Sequence, residues 1–321
     1  MTTTETEAST LRTQRDWQRR TVTLSAKSIV LFVLVVSIMG SGYVAIRVGV
    51  GSVPPLFLAA LRFYLTAVVL LSIAAATGRP WWPQTRVDWT AVAVLGVLVF
   101  AGAIGFLFVG QQHTTASVAA TVMCLGPVLT ALIAHALLPT ERLTRRQIAG
   151  IGVGLLGAVI IAQPASPGLE LGIGTGVLMV FCAAVSGSLG SVMLGRLEST
   201  APATVQTTWG ALLGGVILHA ASTVFGEPAG AVEWTPSLLG LLLYLSVIVG
   251  GVGYVAFLIL LRTIGPTRTS FTAYVSPVVA ILLGWLLLHE PPTATVAIGL
   301  LSIMLGFLLL NGIGSHDSGP N

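Results

Sequence analysis

Long apolar stretches recur along the whole chain, and their length constrains the fold more than any other feature. A helix needs about 20 mostly apolar residues to cross the hydrocarbon core of a membrane. Only 8% of the 321 residues are charged, whereas soluble domains carry about 25%. We therefore predict an all-α polytopic membrane protein with ten transmembrane helices. The predicted spans are residues 28–48, 55–76, 90–110, 115–138, 147–163, 172–194, 203–224, 237–261, 269–288 and 294–313.

Two regions half a chain apart share one skeleton of proline, glutamate and two glycines. In both, the first glycine lies nine positions after the glutamate, and the second glycine lies seven positions after the first. The skeletons are Pro127, Glu141, Gly150 and Gly157, and Pro277, Glu290, Gly299 and Gly306. Self-similarity of this kind indicates one unit used twice, and we predict two repeats of five helices each.

Five is an odd number, so the second repeat must enter the membrane from the opposite side to the first. We expect tails at 1–27 and 314–321 and inverted repeats at 28–163 and 172–313. With both termini in the cytoplasm, nearly all arginines outside the spans fall in cytoplasmic segments and only Arg47 falls outside, as the positive-inside rule requires. This distribution predicts a multi-pass protein of the cell (inner or plasma) membrane.

Several classes of function are disfavoured by what the sequence lacks. The net charge of +4 is spread over short loops rather than gathered on one face, which argues against nucleic acid as a partner. The predicted spans contain no aspartate or glutamate, and the chain has neither an HExxH motif nor a serine–histidine pair in an elbow motif. We expect no enzymatic activity, no metal site and no cofactor. A small-molecule substrate and the lipid bilayer remain as partners, and the oligomeric state stays open.

Arg62 is the one charge well inside a predicted span. Placing an arginine near the bilayer centre costs about 2.5–3.5 kcal/mol on insertion scales, so its side chain should face protein or water. Two interpretations remain open. Arg62 either anchors an anionic or carboxylate group of a substrate, or ties helix carbonyls and a neighbouring span together.

Polar and aromatic residues at mid-depth of the spans, or in the polar turn after the third span, are candidates for the substrate pathway. Tyrosine and serine suit a solute with an apolar body and a few polar groups, although each could instead hold two helices together. The turn could be an external gate or only a turn. The candidates are Ser41, Tyr43, Arg62, Gln112, His113, Ser186, Trp209, Tyr254 and Tyr274.

The repeated proline and glutamate have different expected roles. Pro127 and Pro277 lie early in their spans, where we expect them to kink the helices and free carbonyls that can line a cavity. Glu141 and Glu290 each precede a span, where a carboxylate is favoured by the helix dipole. We interpret them as helix-start carboxylates, with a gating pair as the alternative.

These residues together resemble the drug/metabolite transporter superfamily, specifically its EamA-type ten-helix transporters. The resemblance covers roughly residues 31–162 and 173–311 and rests on the order and duplication of short motifs. The motifs are Gly40-Ser41-Gly42-Tyr43-Val44-Ala45-Ile46-Arg47, Leu61-Arg62-Phe63, Thr114-Thr115-Ala116-Ser117 and Gln147-Ile148-Ala149-Gly150.

The resemblance implies a basket-like fold with a central cavity between spans one to four and six to nine. It implies an exporter of small metabolites such as amino acids, and the inverted repeats imply alternating access. Two alternatives stay open, a broad efflux protein for drugs or other lipophilic compounds and a membrane sensor that transports nothing. The first predicted span has no embedded glutamate, which disfavours a proton-driven quaternary-ammonium pump.

Overall fold

The chain folds into helices throughout the part that the computed structural model describes, residues 26–78, 81–137, 144–162, 174–264, 269 and 271–311. We number the helices in chain order, treat consecutive helical segments as one helix, and count the two segments of α4 together across the short turn at Cys124 and Leu125. They are α1 (Ala26–Val50), α2 (Pro55–Thr77), α3 (Arg86–Gln112), α4 (Ala116–Leu137), α5 (Arg145–Ala162), α6 (Thr175–Arg196), α7 (Ala203–Val224), α8 (residues 236–264), α9 (Thr272–Leu288) and α10 (Ala294–Asn311).

Local sequence explains where several helices begin. Thr85 opens α3 with a capping box, in which its hydroxyl accepts from the N–H of Asp88 and the Asp88 carboxylate accepts from the N–H of Thr85. Thr115 and Thr235 cap α4 and α8 with their hydroxyls alone, which accept from the N–H groups of Val118 and Leu238. These polar caps satisfy the free N–H groups at the helix starts.

Six helices in the described residues are long and apolar enough to cross a membrane by length and composition: α1, α2, α3, α4, α6 and the part of α8 from Pro236 to Phe257. The helix α1, with 25 residues, measures about 37 Å at 1.5 Å per residue, longer than the roughly 30 Å hydrocarbon core. The structure is therefore consistent with the polytopic membrane protein that the sequence predicts.

The helix ends form two layers of connections, which we call the latch end and the base end. At the latch end, the Glu227 carboxylate after α7 accepts from the N–H groups of Leu56 and Phe57, the start of α2. At the base end, the Asp88 carboxylate of α3 accepts from the Ser199 hydroxyl in the α6–α7 loop. Both layers thus join helices from the two halves of the chain.

Two helices share an unusual winding. α3 is π-helical from Leu95 to Ile104, and α8 is π-helical from Tyr244 to Val252. Both stretches begin eight or nine residues after their helix starts at Arg86 and Pro236. Stretches of π-helix are rare and often lie at functional sites, and here they occupy similar positions in α3 and α8.

The closest helix packing joins α5 and α10 through the repeated glycines. A Cβ built on Gly306 would lie 2.5 Å from the carbonyl oxygen of Gly150, and one on Gly157 would lie 2.8 Å from that of Gly299. Small residues let membrane helices approach until their backbones touch. The glycines of one skeleton therefore pack against those of the other, the first of each against the second of its counterpart.

Candidate functional site

A cavity of about 300 Å³ lies at the centre of the helix bundle. Its walls come from α1–α4 on one side and from α8 and α9 on the other, so both halves of the chain enclose it. The lining residues are mostly apolar, with four polar side chains among them. The polar ones are Tyr43, Arg62, Thr272 and Ser276.

Arg62 is a half-buried cation without a counter-ion among the described residues. Its Nε has no hydrogen-bond partner, and its guanidinium carbon lies 5.6 Å from the ring centre of Phe63 and 5.9 Å from that of Phe108. Contacts with aromatic faces favour a cation by about 0.5–2 kcal/mol. They leave the N–H donors of the guanidinium available to a ligand in the cavity.

Pro277 changes the cavity wall through the carbonyl it leaves free. Proline has no N–H and cannot bond to the carbonyl four residues before it, which here is that of Ala273 on the cavity wall. The Cys124 thiol donates to this oxygen at 3.0 Å. α9 stays continuous, and the freed acceptor is satisfied by a side chain of α4.

α4 breaks where the equivalent proline stands. Its two segments, Ala116–Met123 and Gly126–Leu137, are separated by a turn, because Pro127 cannot bond to the carbonyl of Met123. The predicted kink is thus a break in α4, whereas Pro277 sits inside an unbroken α9. Both Met123 and Pro127 line cavities as a result.

A second, wider cavity of about 740 Å³ shares wall residues with the first. Ile104 and Met123 line both, so the cavities meet there. The wider cavity extends to Ala134 and Gln147, near the end of α4 and the start of α5. The central cavity therefore continues toward the base end.

At the latch end, helix ends meet in a contact that we call the latch: Arg47, Glu290 and the backbone groups of Gln111 and Ala116. The Arg47 Nε donates to Glu290 Oε1 at 3.2 Å, and its Nη1 donates to the carbonyl of Gln111 at 2.9 Å. The N–H of Ala116 donates to Glu290 Oε2 at 3.2 Å. The latch thus ties the ends of α1 and α3 and the start of α4 to the segment after α9. Among the described residues it is the one ion pair.

A strained turn aims Glu290 into the latch. His289 has a φ of 55°, which is unfavourable for a residue with a Cβ, and the N–H of Glu290 closes the turn on the carbonyl of Gly284. Side chains in the latch are mostly buried, with 32% of Arg47 and 15% of Glu290 exposed. Glu290 was predicted to stabilise the start of the helix that follows it, α10. Its carboxylate instead accepts from the N–H of Ala116 at the start of α4. At the start of α10, the Thr293 hydroxyl accepts from the N–H of Val296.

Two of the predicted pathway residues, Tyr43 and Arg62, line the central cavity. The Ser41 hydroxyl lies 2.6 Å from that of Tyr244 and also donates to the carbonyl of Ile38. Tyr244 lines a cavity at the latch end, so Ser41 joins α1 to α8 there.

Other predicted pathway residues lie elsewhere. Gln112 and His113 are exposed at the latch end, next to the buried Gln111. The Ser186 hydroxyl donates to the carbonyl of Leu98 at 2.7 Å and joins α6 to α3. Trp209 packs against three tryptophans at the base end, stacked on Trp81 and edge-to-face with Trp82 and Trp89. Its Nε1 donates to the carbonyl of Trp81 at 2.7 Å.

The last two predicted pathway residues, Tyr254 and Tyr274, are not among the residues that line the central cavity. Tyr274 is fully buried, packs on Phe307 with ring centres 4.3 Å apart, and leaves its hydroxyl unpaired. Tyr254 is half-buried in α8. Glu141 lies outside the described residues. Within those residues, no three histidine, cysteine, aspartate or glutamate side chains cluster as a metal site would need.

Two polar residues near the latch are absent from the predicted pathway residues, although Gln111 begins the polar turn after the third span and Ser117 belongs to one of the motifs. The side-chain nitrogen and oxygen of Gln111 and the hydroxyl of Ser117 are buried without hydrogen-bond partners. Unpaired buried polar groups cost about 1–3 kcal/mol each. The neighbouring Gln112 and His113 drew attention as polar residues, but the spacing gave no sign that Gln111 alone faces the interior.

Comparison with known proteins gives concordant results. The model of the EamA-like transporter family matches residues 26–163 and again residues 174–312. An uncharacterised inner membrane transporter of Escherichia coli strain K12 is 33% identical over 261 residues, covering 79% of this chain and 80% of its own. A probable amino-acid metabolite efflux pump of Salmonella typhimurium strain LT2 is 28% identical over 301 residues, covering 91% and 96%.

A crystal structure of another protein has the same fold. It superposes with a TM-score of 0.62 at 23% sequence identity and covers 90% of this chain and 99% of its own. At that identity the likeness speaks for the fold alone. It extends the match over nearly the full length of both molecules.

Proposed function

Since the chain belongs to the EamA-like transporter family, we propose that it exports small metabolites such as amino acids across the inner or plasma membrane. It is a transporter and a multi-pass membrane protein by its family and its relatives. The observation that carries the proposal is the central cavity, which continues into a wider cavity toward the base end, while the Arg47–Glu290 ion pair ties helix ends together at the latch end. A path that the latch closes at one end and that widens toward the other is what one state of an alternating-access transporter requires.

Alternating access between two inverted five-helix repeats is the mechanism that we propose. Three observations support repeats near residues 28–163 and 172–313: the double match of the family model, the π-helical stretches of α3 and α8, and the reciprocal glycine contacts of α5 and α10. Inverted repeats place the substrate at their interface and let the two sides exchange shapes. In this proposal all ten helices cross the membrane.

The arginine distribution supports an orientation with the base end and both termini in the cytoplasm. Arg86, Arg145, Arg146 and Arg196 belong to helix ends of the base end, whereas Arg47 stands at the latch end. Positive charges concentrate on the cytoplasmic side of membrane proteins. The latch then faces outside, and the wider cavity opens to the cytoplasm, as an exporter awaiting substrate requires.

The latch is the external gate of this mechanism. Opening requires Glu290 to leave both Arg47 and the N–H of Ala116, and hydrogen bonds to charged groups contribute about 1.5–3 kcal/mol each. Energies of this size keep the outer side closed yet allow a bound solute to shift the population. The unpaired Gln111 and Ser117 side chains lie ready to form other bonds once the latch opens.

Broad efflux of lipophilic compounds is a second candidate, favoured by the apolar cavity wall. Met39, Met123 and Phe257 all face the central cavity, and methionine surfaces adapt to varied apolar ligands. The volume of about 300 Å³ argues for small solutes, because pockets for drug-sized ligands extend to about 1,000 Å³. Resistance on overexpression without loss of any excreted metabolite would favour this second function.

Flux into proteoliposomes that contain only this protein tests the proposal. We expect amino acids or related metabolites to cross the membrane of these proteoliposomes faster than that of empty liposomes. The flux is measured with and without a pH gradient. A membrane sensor would move no solute, so the absence of flux for a broad panel contradicts transport.

The orientation has a separate test with reporter fusions. A reporter fused at Asn321 should be cytoplasmic, and one inserted near Gly230 in the α7–α8 loop should be external. Both reporters on one side would contradict the topology.

A further inference from the structure

The central cavity carries a positive charge that no described side chain neutralises. Arg62 lines it from α2, its Nε is buried without a partner, and the one ion pair in the described ranges joins other residues, Arg47 and Glu290. A buried charge is stable only when paired and hydrogen-bonded. Two aromatic rings offset part of the cost, but they accept none of the hydrogen bonds that a guanidinium offers.

The other polar groups of the cavity wall are hydroxyls. Thr272 and Ser276 donate their hydroxyl protons to the carbonyls of Thr269 and Thr272, each at 2.7 Å. Their oxygens keep free lone pairs, and Tyr43 adds a third hydroxyl. The lining residues include no aspartate or glutamate, so the wall offers one cation, three hydroxyls and no side-chain anion.

We propose that the central cavity binds small monocarboxylates with an apolar or aromatic body, and that Arg62 holds the carboxylate. A guanidinium and a carboxylate form two parallel hydrogen bonds, a geometry that a point charge such as ammonium lacks. The apolar wall formed by Met39, Met123 and Phe257 takes the body of the ligand. The inference deepens the proposed transport function and rests on it for its physiological meaning.

The charge of a ligand determines how tightly we expect it to bind in the central cavity. A monoanion leaves the cavity neutral, and a free amine would bring a second cation near Arg62 in a wall without a carboxylate. A zwitterionic amino acid binds with its carboxylate on Arg62 but must bond its ammonium to hydroxyls alone. A dianion exceeds the single positive charge of the wall. The expected order is monocarboxylate first, zwitterion second and amine last.

Three probes of nearly one shape separate these classes: 3-phenylpropanoate, phenylalanine and phenethylamine. We would titrate each into the purified full-length protein and measure binding by calorimetry. We expect 3-phenylpropanoate to bind at least 10-fold more tightly than phenylalanine, and phenethylamine to show no binding. Arg62→Gln should weaken 3-phenylpropanoate at least 10-fold, and Arg62→Lys should lie between, because lysine keeps the charge without the fork.

A matched control is Arg86→Gln, which makes the same change at the exposed start of α3. It should leave the affinity for 3-phenylpropanoate unchanged. Thermal unfolding of each variant shows whether it folds, and Tyr43→Phe serves as a second cavity variant, expected to weaken binding only about 2–5-fold, about the size of one neutral hydrogen bond.

Three results would overturn the inference: unchanged 3-phenylpropanoate affinity in folded Arg62→Gln, phenethylamine binding as tightly as the acid, or no probe binding to the wild type. Flux in proteoliposomes separates this inference from the proposed function. Arg62-dependent binding without transport of any probe leaves the ligand class intact and contradicts the transport proposal. Transport of the probes that Arg62→Gln leaves unchanged would support the transport proposal and contradict the ligand class.

Discussion

The α5–α10 pair and the latch both join the two halves of the chain, but by opposite means. α5 and α10 touch through glycine backbones, with a carbonyl of one helix against a glycine of the other. The latch joins them through one charged pair and a few hydrogen bonds between partly exposed groups. The first contact excludes water, whereas the second borders it.

The α5–α10 packing is therefore a lasting contact, whereas the latch is a reversible one. When two helices packed backbone to backbone separate, no other group replaces the lost contacts, because the separation leaves an empty groove. The ions of the latch can exchange each other for water at modest cost, since both are partly exposed. In the alternating access that we propose, the α5–α10 pair would belong to the fixed part of the molecule and the latch to the moving part.

Substituting Gly306 by alanine should produce the largest effect, because it breaks the lasting contact. The new Cβ would lie 2.5 Å from the Gly150 carbonyl and 2.7 Å from the backbone nitrogen of Gly154. Neither atom is the end of a flexible side chain, so the helices must separate. We expect Gly306→Ala to lower stability by about 3 kcal/mol, the upper part of the range for overpacking, measured as thermal unfolding in detergent.

The control for this variant is Gly152→Ala in the same helix pair. A Cβ on Gly152 meets nothing within 4 Å, so its unfolding temperature should not fall. Equal losses in the two variants would show that glycine itself, rather than the backbone contact, sets the stability of α5 and α10.

The glycine contacts show how much of the fold could be predicted from the sequence. The repeated skeleton correctly indicated the important glycines, and apolar length gave helix positions within a few residues of the observed ones. The partner of each glycine could not be predicted. A spacing of seven defines one face of a helix and says nothing about the helix that packs on it.

The site was less predictable, for reasons that particular residues make plain. Arg47 and Glu290 are 243 positions apart, and no local pattern links them. Trp209 lies six residues into α7, about 9 Å from its start, where tryptophans gather at membrane interfaces; its depth could have been recognised from that rule. Arg62 was found because a charge inside an apolar run stands out without any knowledge of its neighbours.

Breaking the latch should have a smaller effect on stability than breaking the glycine contact, but a specific one on access. Glu290→Lys sets a cation beside Arg47 and leaves the N–H of Ala116 without its acceptor. We expect a shift of about 1–3 kcal/mol toward the outward-open state, or about 5–150-fold in population. A membrane-impermeant thiol reagent applied outside should then label a cysteine at Ser276 at least 5-fold faster.

Glu233→Lys is the matched control for the latch variant. It makes the same charge change at the latch end, in an exposed residue of the α7–α8 loop. Labelling should stay at the wild-type rate. If Glu233→Lys accelerates labelling as much as Glu290→Lys, charge at this end acts without the ion pair, and the latch is not the closing contact.

The smallest expected effect concerns the turn that aims Glu290, and it tests whether the reversible contact depends on local strain. His289 has a φ of 55°, a region that β-branched residues reach least readily and glycine reaches freely. His289→Val should lower stability by about 1–2 kcal/mol and raise external labelling at Ser276→Cys slightly. His289→Gly should change stability by less than about 1 kcal/mol, because relief of the turn offsets the greater freedom of the unfolded chain. Equal behaviour of valine and glycine would mean that the latch, rather than the turn, fixes the position of Glu290, which would make the ion pair the sole determinant of outer closure.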